Sequence, residues 1–288
     1  FMFWTVTHFA KKMVIKGQED FTKANITAVM GAGVVGGLTC TFMDSFWFSA
    51  SEAEVYALAM FFIALIVWSM TKWERVANQP GSDRWILFIA LMTGLSVGVH
   101  LLSLLALPSL ALIYYFKKYP FNWKGATVAF FVGIVILGII FFGFLDWFVA
   151  IGVMIERSFV NSMGMGIGSG VIFTFAAITA GLAAGIYYTA KHRKRTINII
   201  LASTAMLIIG LSSYSMVLIR AHANPTINMN GIDDAHSFLS YLKREQYGSR
   251  PLFKGPYFSA QPVGFKVTGE RYEKEAVSYT HLRAHETR

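Results

Sequence analysis

Charge is what this sequence has least of. Asp, Glu, Lys and Arg make up 14% of its 288 residues, where a water-soluble domain carries about a quarter. Too little polar surface is available to wrap a core of this size in water, which excludes an ordinary soluble enzyme. Cysteine occurs once, at Cys40, so no internal disulfide can form. No cluster of His, Cys and Glu has zinc-ligand spacing. No glycine-rich loop runs into Lys-Ser or Lys-Thr, and no Gly-x-Ser-x-Gly occurs, so the common signatures of nucleotide and serine-hydrolase sites are missing. The glycine-dense stretch from Gly164 to Gly170 lacks the strand-to-helix context of a phosphate cradle and reads as a flexible loop.

Apolar residues are abundant instead: 55% hydrophobic and 15% aromatic, with a mean hydropathy of +0.51. They arrive in long blocks, close to the roughly 20 residues needed to cross about 30 Å of hydrocarbon. The blocks run near Ala24–Phe42, Val55–Thr71, Trp85–Val99, Leu101–Phe116, Gly125–Leu145, Gly170–Ala190 and Ile197–Ile219. Phe1 to about Ala10 is apolar without a start signal and ends at Lys11 and Lys12, which reads as the tail of a further span in a chain cut from a longer one. The expected fold is an all-α, polytopic transmembrane helical bundle with about seven spans plus a partial N-terminal one.

Residues 85–116 form one apolar stretch that as a single helix would measure about 48 Å, too long for one crossing. Lys72, Arg75 and Arg84 precede it, and Lys117, Lys118 and Lys124 follow it. Because basic loops stay cytoplasmic, the stretch must go out and return. Its turn is expected near His100, with Pro108 breaking or kinking the second helix. Lys11, Lys12 and Lys16, these two clusters, and Lys191, Arg193, Lys194 and Arg195 fall on alternate loops, which orients the bundle. Residues 43–54, 146–169 and everything after Arg220 are then expected on the exoplasmic side. The net charge of +9 is then a topology signal with some affinity for membrane lipid, and no nucleic-acid partner is called for. The expected organisation is a transmembrane bundle over 1–219, the start of an exoplasmic region over 220–276, and a non-native tail over 277–288, whose character resembles translated linker sequence.

Within the membrane, Gly33 with Gly37 and Gly94 with Gly98 have the small-xxx-small spacing of close helix crossings. The chemically rich segment is Met43 to Tyr56, where Asp44, Glu52 and Glu54 accompany Phe46, Trp47 and Phe48. One reading is structural: Ser51 caps the next helix, Glu54 completes a capping box, and the rings join the interfacial aromatic belt. The other is that one or more acids line a site, accepting a proton from a hydroxyl or holding a divalent cation against a phosphate. If both were helical, Glu52 and Glu54 would point about 200° apart and could not share a pocket. His100, at a turn on the same side, is a candidate neighbour or a satisfied turn residue.

The strings Trp47–Ala57, Gly94–Leu102, Asn224–Asn228 and Arg244–Pro251 resemble the bacterial family of protein O-mannosyltransferase-like membrane proteins, catalogued as domain of unknown function 2723. The resemblance spans nearly the whole chain except its tail, and it implies a bacterial inner membrane with residues 43–54, 146–169 and everything after Arg220 periplasmic. It implies a glycosyltransferase of the GT-C architecture, taking a sugar from a polyprenyl-phosphate donor and passing it to an exoplasmic protein or glycan acceptor. In such enzymes an acid in the first exoplasmic loop deprotonates the attacking hydroxyl, and that loop is expected upstream of Phe1. Glu52 and Glu54 would then be supporting catalytic residues, Asp44 and His100 would line the substrate, and the fragment alone would be inactive. Arg157, Arg244 or Arg220 could offset charge on the lipid phosphate, since a guanidinium fork fits phosphate oxygens. No resident metal or other cofactor is assigned, although a divalent cation is compatible with the acids.

The rivals are a polytopic transporter or lipid flippase, and a non-catalytic membrane scaffold. Transporters tend to show internal repeats and midplane charges; no repeat is evident here, and charges gather at span ends, with Asp146 and Glu156 in or beside an exoplasmic loop.

Overall fold

The computed structural model describes residues 1–52, 54–248, 255, 257, 259, 261, 269–274 and 282–287. Its helices are α1 (Met2–Val14), α2 (Lys23–Thr41), α3 (Asp44–Ser51), α4 (Tyr56–Val76), α5 (Asp83–Val97), α6 (Leu107–Lys118), α7 (Trp123–Gly138), α8 (Phe148–Arg157), α9 (Ser169–Lys191), α10 (Arg195–Leu211), α11 (Ser215–His222) and α12 (Ala235–Leu242). Six helical stretches are long and apolar enough to cross a bilayer: 23–41, 56–76, 101–118, 123–162, 169–191 and 195–222. The chain is thus an all-α membrane bundle. The expected span at Trp85–Val99 is helical as α5, but its 15 residues reach only about 22 Å, so it is not among these six stretches, against the seven spans expected. Strands β1 (Gly269–Lys274) and β2 (Leu282–Thr287) form an antiparallel ribbon, so part of the expected 277–288 tail is β2 and the rest lies outside the described residues.

The chain divides into two units, one of residues 1–137 and 184–213, the other of 138–183 and 214–288. In the first, Ile66, Met70, Trp73 and Ala77 recur along α4 and its end at helical spacing, so they share one face; they pack with Ile89 of α5 and Leu110 of α6. Trp73 is almost wholly buried and stacks on Tyr114 at 5.0 Å. The turn near His100 is real. After α5, His100 adopts an extended backbone and a 3-10 turn, Leu101–Ala106, leads into α6. Lys118 Nζ then donates to the carbonyl of Ala77 at 3.1 Å and to Asn78 Oδ1 at 3.3 Å, closing the hairpin where it began. Buried Ser96 and Ser103 join across the turn at 2.5 Å. Pro108 occupies the first turn of α6, where its missing N–H leaves no bond unmade, so it starts the helix rather than kinking it.

Close crossings depend on glycine. A Cβ on Gly33 would collide with Thr7 and Phe3 of α1. Between α5 and α10, a Cβ on Gly210 would stand 2.5 Å from the carbonyl oxygen of Leu91 and 2.6 Å from Leu95 N. Gly94 faces the Leu207 carbonyl in the same crossing. Only bare backbone allows this approach. At the ends of these helices, Arg195 forms two 2.9 Å hydrogen bonds with Asp83.

In the second unit the expected loop at 146–169 is mostly helix. A π-helical segment over Ile139–Trp147 runs on from α7 into α8, and a second π turn covers Ser158–Ser162. The sequence carries no proline or glycine pair at the end of the apolar run to stop it, so the backbone continues its helical hydrogen bonds. Glu156, buried in α8, accepts from the backbone N–H groups of Gly168, Gly170 (2.8 Å) and Val171 (3.0 Å). These are orphan donors at the start of α9. The glycine-dense stretch is therefore a fitted helix entry: Gly164 and Gly168 take positive φ, and a Cβ on Gly170 would strike the Glu156 backbone, 2.6 Å from its nitrogen. Helix α12 opens with a reciprocal capping box between Asp234 and Ser237.

Candidate functional site

The acidic segment is shaped by where α3 stops. Ser51 Oγ donates to the Phe48 carbonyl at 3.1 Å, so Ser51 ends α3 instead of capping α4, and α4 begins after Val55 without any side-chain cap. The expected Ser51–Glu54 capping box is not formed. Glu52 has an extended backbone and Glu54 lies in the connection before α4. Neither is helical, so the opposite-face objection to their sharing a site no longer applies. Asp44 sits in the first turn of α3, where its charge complements the helix dipole. All three acids are exposed, as are Trp47 and Phe48, in keeping with an interfacial aromatic belt.

His100 comes to this segment through Tyr56. The two rings lie 5.3 Å apart, tilted by 54°, which ties the head of α4 to the α5–α6 turn. The peptide N–H of Leu102 donates to His100 Nδ1 at 3.1 Å, so the neutral ring carries its proton on Nε2. His100 is therefore a satisfied turn residue through Nδ1, with Nε2–H as its remaining donor. Of the expected site residues, the structure joins the α4 head to His100 through Tyr56 alone; Glu52 and Glu54 precede Tyr56 by four and two residues in the chain and are exposed. Among the described residues no three His, Cys, Asp or Glu side chains converge to hold a metal ion.

The arginines belong to the second unit. Arg157 closes α8 and is exposed. Arg244 has left-handed backbone and lays its guanidinium over the Tyr247 ring at 5.1 Å. Arg220 stands in the last turn of α11, a position favoured by the helix dipole. The side chain of Asp146 lies outside the described residues.

Two polar clusters escaped the sequence reading. Glu74 of α4 is buried and meets His8 Nε2 at 2.7 Å and Lys12 Nζ, both from α1. Its position on the Ile66–Met70–Trp73–Ala77 face was a legible signal, masked by the neighbouring basic residues. In the second unit, burial holds the His236 imidazole below its usual range, while Asp234 and Glu156 pull the other way. Nothing in its local sequence, an α12 beginning Ala-His-Ser-Phe, marks it.

Residues 1–123 match the family model of the Protein O-mannosyl-transferase TMEM260 N-terminal domain. The O-mannosyltransferase-like resemblance thus holds over α1–α6, the part that carries Asp44, Glu52, Glu54 and His100. No curated protein and no solved structure matches the chain.

Proposed function

We propose that this chain is part of a membrane glycosyltransferase of GT-C type, moving a sugar from a polyprenyl-phosphate donor to a protein hydroxyl outside the cytoplasmic membrane. The family match over residues 1–123 carries this reading. The apolar helices suit a lipid-linked donor, and the alternation of basic loops along the chain supports an exoplasmic position for the Glu52–Tyr56 segment.

In such a transfer the acceptor hydroxyl oxygen attacks the anomeric carbon, the carbon–oxygen bond to phosphate breaks, and the lipid phosphate leaves with the bonding electrons. The hydroxyl proton passes to a carboxylate. We assign Glu52 and Glu54 to supporting that proton transfer and to orienting the acceptor. Asp44 completes the negative edge, and His100 Nε2–H donates to a phosphate or sugar oxygen. Arg157 and Arg244 are candidates for charge compensation of the phosphate. A transporter reading draws on buried ionisable groups inside candidate spans, Glu74 and Glu156; Glu74 is accounted for as an inter-helix tie to His8 and Lys12, and Glu156 as the acceptor for the N–H groups at the start of α9.

The test is sugar transfer from a polyprenyl-phosphate-mannose donor by the full-length protein in membranes. Glu52→Gln, Glu54→Gln and His100→Gln are each expected to lower kcat, by about 10–1000-fold, short of or within the range for a displaced proton-transfer group. Full activity in all three variants would sink the site; no transfer by the unaltered protein from any lipid-phosphate sugar would sink the function.

A further inference from the structure

Within the first unit, α4, α5, α6 and α7 enclose a cleft of about 640 Å³. Its walls include Met70, Ile89, Leu110, Ala129, Val132 and Ile136, and its one polar edge is formed by Tyr114, Tyr115 and Tyr119. Helices α6 and α7 approach closely at Gly133 and Gly125. A Cβ on Gly133 would lie 2.5 Å from Pro108 Cα, and one on Gly125 would lie 2.6 Å from Tyr115 Cζ. The lining residues Leu110, Ala111, Val128, Ala129 and Val132 all fall between those contacts in sequence. Of the three tyrosine hydroxyls, that of Tyr115 is engaged, donating toward the carbonyls of Pro120 (3.1 Å) and Asn122 (3.3 Å).

A water molecule needs two to four polar partners, so walls of this kind stay dry. In a bilayer the filler must be hydrocarbon. Val128, Val132 and Ile136 of α7 remain exposed, leaving the cleft open to lateral entry from the lipid. At its tyrosine end the chain carries Lys117, Lys118 and Lys124. Lys118 is committed to Ala77 and Asn78, whereas Lys117 and Lys124 are not so tied. A second copy of this chain, with net charge +9, would bring the same lysines to the same depth and be repelled. An anion is attracted.

We propose that this cleft is a binding site for an anionic phospholipid, one acyl chain lying along α6 and α7 and the phosphate held at Lys117 and Lys124. With basic loops facing the cytoplasm, the lipid comes from the cytoplasmic leaflet, where anionic headgroups concentrate. The site is separate from the Glu52–His100 segment and does not depend on the transferase reading.

The experiment reconstitutes the protein in bilayer discs of mixed phosphatidylcholine and phosphatidylglycerol. Each disc preparation carries a trace of one lipid or the other with a photoreactive diazirine on its acyl chain, and labelled peptides are mapped by mass spectrometry. Phosphatidylglycerol is expected to label residues 107–136 in excess over phosphatidylcholine. Lys117→Ala and Lys124→Ala should each cut that excess about fivefold. Ala129→Phe, which fills the cleft, should remove the labelling. Should Ala129→Phe misfold, the surface lysine variants carry the test alone. Equal labelling by the two probes, no effect of the lysines, or an efficient bilayer cross-link between Val132→Cys protomers would each overturn the proposal.

Discussion

Removing the carboxylate of Glu156 should unfasten the start of α9. Three backbone N–H groups converge on it, and its side chain is almost wholly buried, with the residue 2% exposed. A hydrogen bond to a charged acceptor contributes about 1.5–3 kcal/mol, and a buried donor left without one costs about 1–3 kcal/mol. Gly168 is only half-buried, so water can replace the carboxylate there. Gly170 is buried and has no such recourse. The expected net loss for Glu156→Ala is therefore about 3 kcal/mol, above the usual cost of about 1 kcal/mol for a lost helix cap. At about 1.4 kcal/mol per decade, the amides of Gly170 and Val171 should exchange about 100-fold faster with deuterium. Hydrogen exchange resolved to α9 reads this directly, and Glu156→Gln, keeping one acceptor oxygen, should fall between. Sugar transfer should decline only with the fraction unfolded. Unchanged exchange in α9 together with complete loss of transfer would refute the capping role and make Glu156 a chemical group.

Other outcomes follow from the same contacts. Gly210→Ala should force α5 and α10 apart, because the new Cβ meets backbone at 2.5–2.8 Å; a loss of about 1–3 kcal/mol should appear in thermal unfolding, and an unchanged midpoint would contradict the crossing. Glu74→Ala strips the anion from His8 and Lys12; because Lys12 is half exposed and can be solvated, the cost should be about 1–3 kcal/mol, with Glu74→Ala/Lys12→Met recovering part of it in the same assay. His236 should make the second unit pH-sensitive. Its folded-state pKa is lowered by burial, so its contribution to stability is complete above its unfolded value of about 6.5 and lost as pH falls toward the folded value. His236→Gln should flatten unfolding midpoints across that window, and an identical profile in the variant would reject the assignment.

Solvent and chain geometry made much of this protein readable from composition alone. Apolar blocks matched to bilayer thickness have one stable backbone solution, a helix that satisfies its own hydrogen bonds, so α2 and α9 lie within a residue of their expected bounds, while the blocks expected at 101–116 and 197–219 are helical over 101–118 and 195–222 but broken by 3-10 turns. Basic residues on both sides of residues 85–116 forced a reversal, and it lies at His100 with Lys118 returning to Ala77. The Met43–Tyr56 segment was recognisable because carboxylates and aromatics are conspicuous in so apolar a chain. What sequence could not supply were pairings between distant residues. Ser51 had two possible partners, and only the end of α3 chose the Phe48 carbonyl. Glu156 looked like a loop charge until Gly168–Val171 folded back onto it, and Gly210 carried no signal until Gly94 lay across it. A helix is specified by local hydrogen bonds and a pattern of solvation, both written along the chain. A buried carboxylate's partner is fixed by which backbone groups would otherwise be stranded without water, and that depends on packing no local pattern encodes.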